Sequence, residues 1–235
     1  MKKISVVLLV VLSMTCAGLA EAAKKKRTRN ANRVGPYGVG LVGMSTFSGD
    51  ATENEQALED VLEGFDFPIR NLSSETEDTD IGYQITFGYR FNRYFAAEFG
   101  LVHLGSLETT ARAELDPGEG FIPTSVSLTY SAGGPLFSAV GILPLSEKFE
   151  LFARAGYLFT SSERELGLTI DGDDNAFGSA KGDSQDPVFG VGFAWNINQV
   201  YSIRAEYQVL DSLGQSDRTG EEDLTVIGIG LSVRF

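Results

Sequence analysis

The sequence offers few side chains suited to catalysis. His103 is its only histidine, and Ser106 follows three residues later. A hydroxyl beside an imidazole is the minimum for a nucleophile and its base. A lone histidine near the end of an apolar segment is more simply an interfacial residue. Asp171-Gly-Asp-Asp-Asn175 has the opening of a calcium loop, but Ala176 stands where the turn glycine belongs and no glutamate closes it. Asn71-Leu-Ser73 matches a glycosylation acceptor pattern and nothing more. Cys16, the only cysteine, falls in the amino-terminal apolar run. Once that run is removed, no disulfide, thiol nucleophile or thiolate metal site is expected. No cofactor or metal site is expected, and the chain reads as a non-enzyme.

A different set of ionisable residues recurs in a consistent setting. Arg90, Glu98, Glu150, Arg154, Arg204, Glu206 and Arg234 each lie on the small-residue side of an alternating segment, among Gly, Ala and Ser. Charges held together away from water must pair. The expected chemistry is therefore an Arg–Glu network, structural rather than catalytic. Glu150 and Arg234 are the members most open to water at a rim.

The segments that carry these residues have the period of two that marks a strand. Ile81, Tyr83, Ile85, Phe87, Tyr89 and Phe91 alternate with Gly82, Gln84, Thr86, Gly88 and Arg90. Similar runs span 37–47, 95–102, 125–143, 149–159, 189–197, 201–209 and 224–235, which makes eight strands. Gly133-Gly134-Pro135 interrupts the fourth, where a bulge or bend is expected. Connections alternate long and short. The long ones span 48–79, 103–124, 161–186 and 211–222, and are polar and acidic. The first contains Thr52-Glu-Asn-Glu55, a capping box, with Leu58, Val61, Leu62 and Phe65 on one helical face and Gly64 as its stop. The predicted fold is all-β: an eight-stranded antiparallel up-and-down transmembrane β-barrel, with short turns on the periplasmic side and long loops outside.

The amino terminus has the form of a secretory signal peptide over 1–22: a basic start, an apolar middle and an Ala-x-Ala exit. A basic leader over 23–35 precedes the barrel domain, 36–235. Its Lys and Arg could meet anionic headgroups at the inner rim. The net charge of -13 argues against nucleic acid as a partner. Past the amino terminus no apolar run is long enough for a spanning helix, a test that barrel strands do not register.

Alternation alone does not say which face points in. A lipocalin-like carrier also closes eight strands, with its apolar face inward. Here the polar side is Gly, Ala and Ser, which suits a narrow lumen better than a soluble exterior. The apolar side is large, aromatic and almost free of charge. Phe91, Phe95, Phe149, Trp195, Tyr201 and Phe235 all fall at the short-turn end, as an interfacial girdle would.

The last third carries the most specific motifs: Gly190-Val-Gly-Phe-Ala-Trp-Asn-Ile197, Ser202-Ile-Arg-Ala-Glu-Tyr-Gln208 and Ile229-Gly-Leu-Ser-Val-Arg-Phe235. In these the chain resembles the transmembrane domain of the OmpA-like outer-membrane protein family, and the architecture extends the resemblance over 36–235. The resemblance implies a closed barrel in a Gram-negative cell envelope whose interior Arg and Glu hold the lumen nearly shut. It implies that Phe235 forms part of a signal read by the barrel-assembly machinery. The founding members carry a peptidoglycan-binding domain after the barrel; this sequence ends at the barrel, so cell-wall anchoring is not expected. The expected surroundings are outer-membrane lipid and lipopolysaccharide, with both termini periplasmic and the chain a monomer. The rival readings are a small porin, a surface adhesin acting through 52–66, and the soluble carrier.

Overall fold

The computed structural model describes residues 33–235 apart from 48–50, 65–66, 117, 119 and 216–219. The expected signal peptide and most of the basic leader lie outside the described residues. The elements are β1 (Gly35–Phe47), α1 (Ala51–Glu63), β2 (Ile69–Glu77), β3 (Thr79–Arg90), β4 (Phe95–Leu115), β5 (Ile122–Pro144), β6 (Phe149–Ile170), β7 (Asp173–Asn196), β8 (Tyr201–Gln215) and β9 (Gly220–Arg234).

All pairings are antiparallel between neighbours, and β1 pairs with both β3 and β9, which closes the cylinder. Eight strand positions make up the wall. One of them is shared: β2 and β3 run end to end, and both pair with β4. The final residue seals the seam, since the Phe235 amide donates to the Pro36 carbonyl at 3.2 Å. The ring of Phe235 lies over Gly38, where an added Cβ would sit 3.7 Å from it.

The apolar side faces out. Phe87, Phe99, Leu101, Phe137, Tyr157, Phe189, Val191 and Ile229 are all exposed, while Gln84, Thr86, Arg90 and Glu98 are buried. This inside-out arrangement excludes the lipocalin-like reading. Rings form ladders across the strands on this belt: Tyr89, Phe91 and Phe95 near the short turns, and Phe99, Phe137 and Phe159 further out. Strand β1 departs from the rule. Its large residues Tyr37, Val39 and Leu41 point inward, and Gly38, Val42 and Met44 face out. Alternation was correct there, but the assignment of the bulky side to lipid was not.

Three of the expected long loops are strand for most of their length. β4 continues to Leu115, and β6 and β7 continue to a two-residue turn at Asp171-Gly172. Both turn residues have positive φ, 53° and 85°, as a type I′ hairpin requires. β8 and β9 likewise pair out to Gln215 and Gly220. In the first loop, the expected helix is present as α1, and β2 follows it. Leu58 and Leu62 are buried, Val61 is exposed, and the Gly64 amide donates to the Asp60 carbonyl at 2.9 Å. The capping-box side chains and Phe65 lie outside the described residues.

These segments read as loops because their pattern inverts. Above the lipid belt the outward residues are polar, such as Ser106, Glu108, Arg112, Ser125, Ser127 and Glu165. The inward ones become apolar: Leu107, Ala111, Ala113, Val126 and Leu128. Leu58 and Leu62 of α1 pack on that inner face, with Ile69 and Leu166 beside them. On β4 the change of register is made by a bulge at Leu104-Gly105, where two residues oppose one on β5 and Gly105 has φ of 82°. The bulge expected at Gly133-Gly134-Pro135 is absent. β5 keeps one register with β6 from Thr124 to Pro144, and the irregularity lies on the neighbouring strand instead.

Candidate functional site: the barrel interior

The interior is layered, and the charged residues fall into two groups. In the middle layer Glu98 of β4, Arg154 of β6, and Arg204 and Glu206 of β8 meet across the lumen. Glu98 Oε2 lies 2.6 Å from Arg154 Nη2, and its Oε1 lies 2.7 Å from Arg204 Nη1. Arg154 Nε is 2.6 Å from Glu206 Oε1, an ion contact without good hydrogen-bond alignment. Arg204 Nη2 reaches Glu206 Oε2 at 3.5 Å. The side chains of Glu98, Arg154 and Glu206 have no exposure to solvent. Two carboxylates and two guanidiniums leave this layer formally neutral, which is what a dry interior demands.

Each of these long side chains has a glycine opposite it on a neighbouring strand, which leaves it room: Gly88 beside Glu98, Gly190 beside Arg154, Gly230 beside Arg204 and Gly192 beside Glu206. Tyr37 donates from its hydroxyl to Glu98 Oε1 at 2.6 Å. Its ring occupies the space a Cβ at Gly88 would need, so Gly88 is a close-approach glycine rather than a flexible one. Gly192 plays the same part for Phe152. The guanidinium of Arg204 stacks 4.1 Å above the Phe152 ring, a cation–π contact strengthened where water is excluded. Ser138 accepts from Arg154 Nη1 at 3.3 Å.

The second group sits at the short-turn end. Arg90 Nη1 is 3.1 Å from Glu150 Oε2, and Arg33 Nη1 approaches Glu150 Oε1 at 3.0 Å. Arg90 also donates to the carbonyls of Asn92 and Arg93, and Arg33 to that of Glu147. Among the described residues Arg234 forms no ion pair with a carboxylate side chain; it donates to Asn196 Oδ1 at 2.8 Å and to Ser202 Oγ at 3.2 Å. Glu150 is buried, not rim-solvated. Between the two groups lies a cavity of about 40 Å³, lined in part by Tyr37, Arg90, Glu98 and Arg234.

Beyond the neutral layer the lumen is packed. Gln208 Nε2 donates to Gln84 Oε1 at 3.1 Å. Further out Phe47, Leu104, Tyr130, Leu136, Leu158, Val188, Leu210 and Leu224 form an apolar core inside the cylinder. The small-residue face of the sequence already carries Leu158, Leu224 and Val226 of this core, but an apolar plug is not expected from it, nor are the inward Tyr37 and the ion-paired Arg33. Tyr37 was legible as an alternating residue but was given to the wrong face. Arg33 is the last cation of a basic run, and nothing in that run marks it out.

The other candidate residues lie outside the barrel interior. The Ser106 hydroxyl donates to Asp80 Oδ2 at 3.0 Å, and the His103 ring packs tilted against Tyr83 at 4.8 Å between centroids. Asp171 lies in a two-residue hairpin turn, and Asp173 opens β7 directly after it. Among the described residues, no group of three or more His, Cys, Asp or Glu comes together as a metal site would need.

A closed cylinder with an apolar aromatic exterior and an ion-paired interior is a transmembrane β-barrel of the outer-membrane type. Over residues 37–235 the chain matches the family model of the OmpA-like transmembrane domain, and it belongs to that family. It is 23% identical to outer membrane protein A of Klebsiella aerogenes over 236 residues, covering 100% of this chain and 56% of that protein. It is 24% identical to outer membrane protein A of Escherichia fergusonii, covering 68% of this chain and 42% of that one. The chain thus spans about half the length of the curated relatives it matches. Among solved structures it is similar to Ail of Yersinia pestis at 12% identity (TM-score 0.38; 86% of this chain, 99% of that one). It is likewise similar to OprG of Pseudomonas aeruginosa at 14% identity (TM-score 0.41; 86% and 96%).

Proposed function

We propose that the protein is a non-enzymatic outer-membrane barrel that serves envelope integrity, with a lumen closed to solutes and both termini in the periplasm. The observation that carries this reading is the neutral layer of Glu98, Arg154, Arg204 and Glu206, whose carboxylates and guanidiniums span the cylinder from β4 to β8. The apolar core above it adds a second barrier, since water gains no partners among leucines. Eight strands leave an interior that side chains can fill. The acidic outer strands then face the medium, where divalent cations would bridge them to lipopolysaccharide. The terminal Phe235, exposed beside the closing seam, is available to the assembly machinery during insertion. The chain is proposed to act as a monomer.

The experiment is conductance of the purified protein in planar bilayers. The closed reading expects a quiet membrane, with at most brief small events. A steady, large open state would remove it in favour of a small porin. Deleting Phe235 should slow insertion while leaving the interior pairing unchanged in the fraction that folds.

A further inference from the structure

The wall of the barrel is not complete above the lipid belt. β7 pairs with β8 only from Val188 to Asn196, while on its other side it pairs with β6 as far as Asp173. Among the described residues, therefore, no strand pairs with the outer half of β7 on its β8 side. The direction of its amides follows from one bond. Asn196 donates its amide to the Lys148 carbonyl, at the foot of β6. Amides alternate in direction along a strand, and the β6 pairing holds one register from Trp195 to Gly178. Even-numbered amides thus face β6, and odd-numbered ones face β8. Pro187 is odd. It lacks the N–H that would continue the β8 ladder, and pairing stops at its neighbour Val188. Beyond it the amides of Gln185, Asp183, Lys181 and Ser179 point to the side where no strand pairs.

Free edges in native sheets are usually blunted by bulges, charges or cover. The free edge of β2 is blunted: its register breaks between Arg70 and Ser73, and Asn71 adopts φ of 53°. The β7 edge over 178–187 has no bulge. Its one cation, Lys181, is drawn 2.7 Å from Glu163 on β6. The exposed charges around it are otherwise acidic: Glu165, Asp171, Asp173 and Asp183.

We propose that β7 over 178–187 is a strand-addition site that takes an extended cationic peptide segment from outside the barrel. Main-chain hydrogen bonds to the odd-numbered residues would hold the segment, and the surrounding carboxylates would select its charge. A second copy of this chain is a poorer occupant, because two acidic edges would repel each other. The proposal does not depend on whether the lumen conducts.

The test is fluorescence anisotropy with the full chain in detergent micelles. The probe is a labelled ten-residue peptide of alternating lysine and threonine. Its affinity should fall at least tenfold when alternate residues on its pairing edge are N-methylated, and when glutamate replaces lysine. Lys181→Pro removes one edge donor without touching the β6 ladder, as Pro187 already does, and it makes the site more acidic. It should weaken binding at least tenfold while heat-modifiable migration stays unchanged. Equal or tighter binding by Lys181→Pro, or of the N-methylated probe, would mean adsorption by charge alone and overturns the edge. The N-methylated arm needs no variant protein and stands even if Lys181→Pro folds poorly. Equal binding of the glutamate probe, or a concentration-dependent dimer that excludes the lysine probe, overturns the cationic class.

Discussion

Glu98 joins the two guanidiniums of the neutral layer. It binds Arg154 and Arg204 through separate oxygens and accepts from Tyr37 as well. Glu206 completes the layer from the opposite side. Removing one member of such a set leaves an uncompensated charge in a dry site, which typically costs about 3–5 kcal/mol. Glu206→Ala is accordingly expected to lower the unfolding midpoint in detergent by an amount readily resolved in a denaturant titration. An unchanged midpoint would mean that water reaches this layer. Replacing Glu98, Arg154, Arg204 and Glu206 together with apolar residues of matching volume should cost far less than Glu206→Ala alone, because the buried charges leave as a neutral group. Each member of the layer was legible in the sequence as an ionisable residue on the small-residue side of a strand. Their partnering was not, because sequence spacing gives strand and face but not the level at which distant strands meet. Tyr37 shows the limit well. It looked like a lipid-facing aromatic, and its neighbour Gly88 shows why it could turn inward.

At the scale of elements, the membrane-spanning halves of the strands were plain in the alternation, and the outer halves were not. Within the belt one face is aromatic. Above it, small hydroxyl residues and carboxylates outnumber the leucines, and the same period of two is diluted. The Asp171-Gly172 dipeptide was the overlooked signal, since Asp-Gly between alternating segments is among the strongest hairpin cues. Gly172 has φ of 85°, where a β-branched side chain is a genuine outlier. Gly172→Val is expected to cost about 1–2 kcal/mol locally. Amide exchange at Ile170 and Asp173 should quicken, with no change in heat-modifiable migration. Helix α1 offers a second test. Leu62 is fully buried against the inner face of β4 and β5. Leu62→Asp should release the helix and expose 51–63 to a protease, while the spanning strands remain protected. Cleavage no faster than in the parent chain would show that Ser74, which donates to Glu59 at 2.8 Å, suffices to hold it.

At the scale of the molecule, cations predominate at one end and carboxylates at the other, with Glu147 and Glu150 among the former and Arg70, Arg112, Arg164 and Lys181 among the latter. Arg33, Arg90, Arg93, Lys148 and Arg234 gather at the short-turn end. Glu108, Glu114, Glu163, Glu165, Asp171, Asp173 and Asp183 stand on the outer strands and their turns. In the proposed orientation the exposed Arg93 and Lys148 would lie at the level of inner-leaflet headgroups, where each basic residue contributes on the order of 1 kcal/mol toward an anionic surface. Reversing Arg93 and Lys148 together to Glu should therefore slow insertion into vesicles rich in phosphatidylglycerol more than into neutral ones. Equal slowing in both would assign these residues to folding rather than to lipid.

The exchange of faces along each strand also fixes a waterline. On β7 the outward series runs Trp195, Phe193, Val191, Phe189 and then, past Pro187, Gln185 and Asp183. Sliding the cylinder outward would lift phenylalanines into water, and sliding it inward would drown carboxylates in hydrocarbon. The protein can tilt in its bilayer but has almost no freedom to bob. In a sheet of lipid thicker than its own draught, it is the lipid that must thin around it.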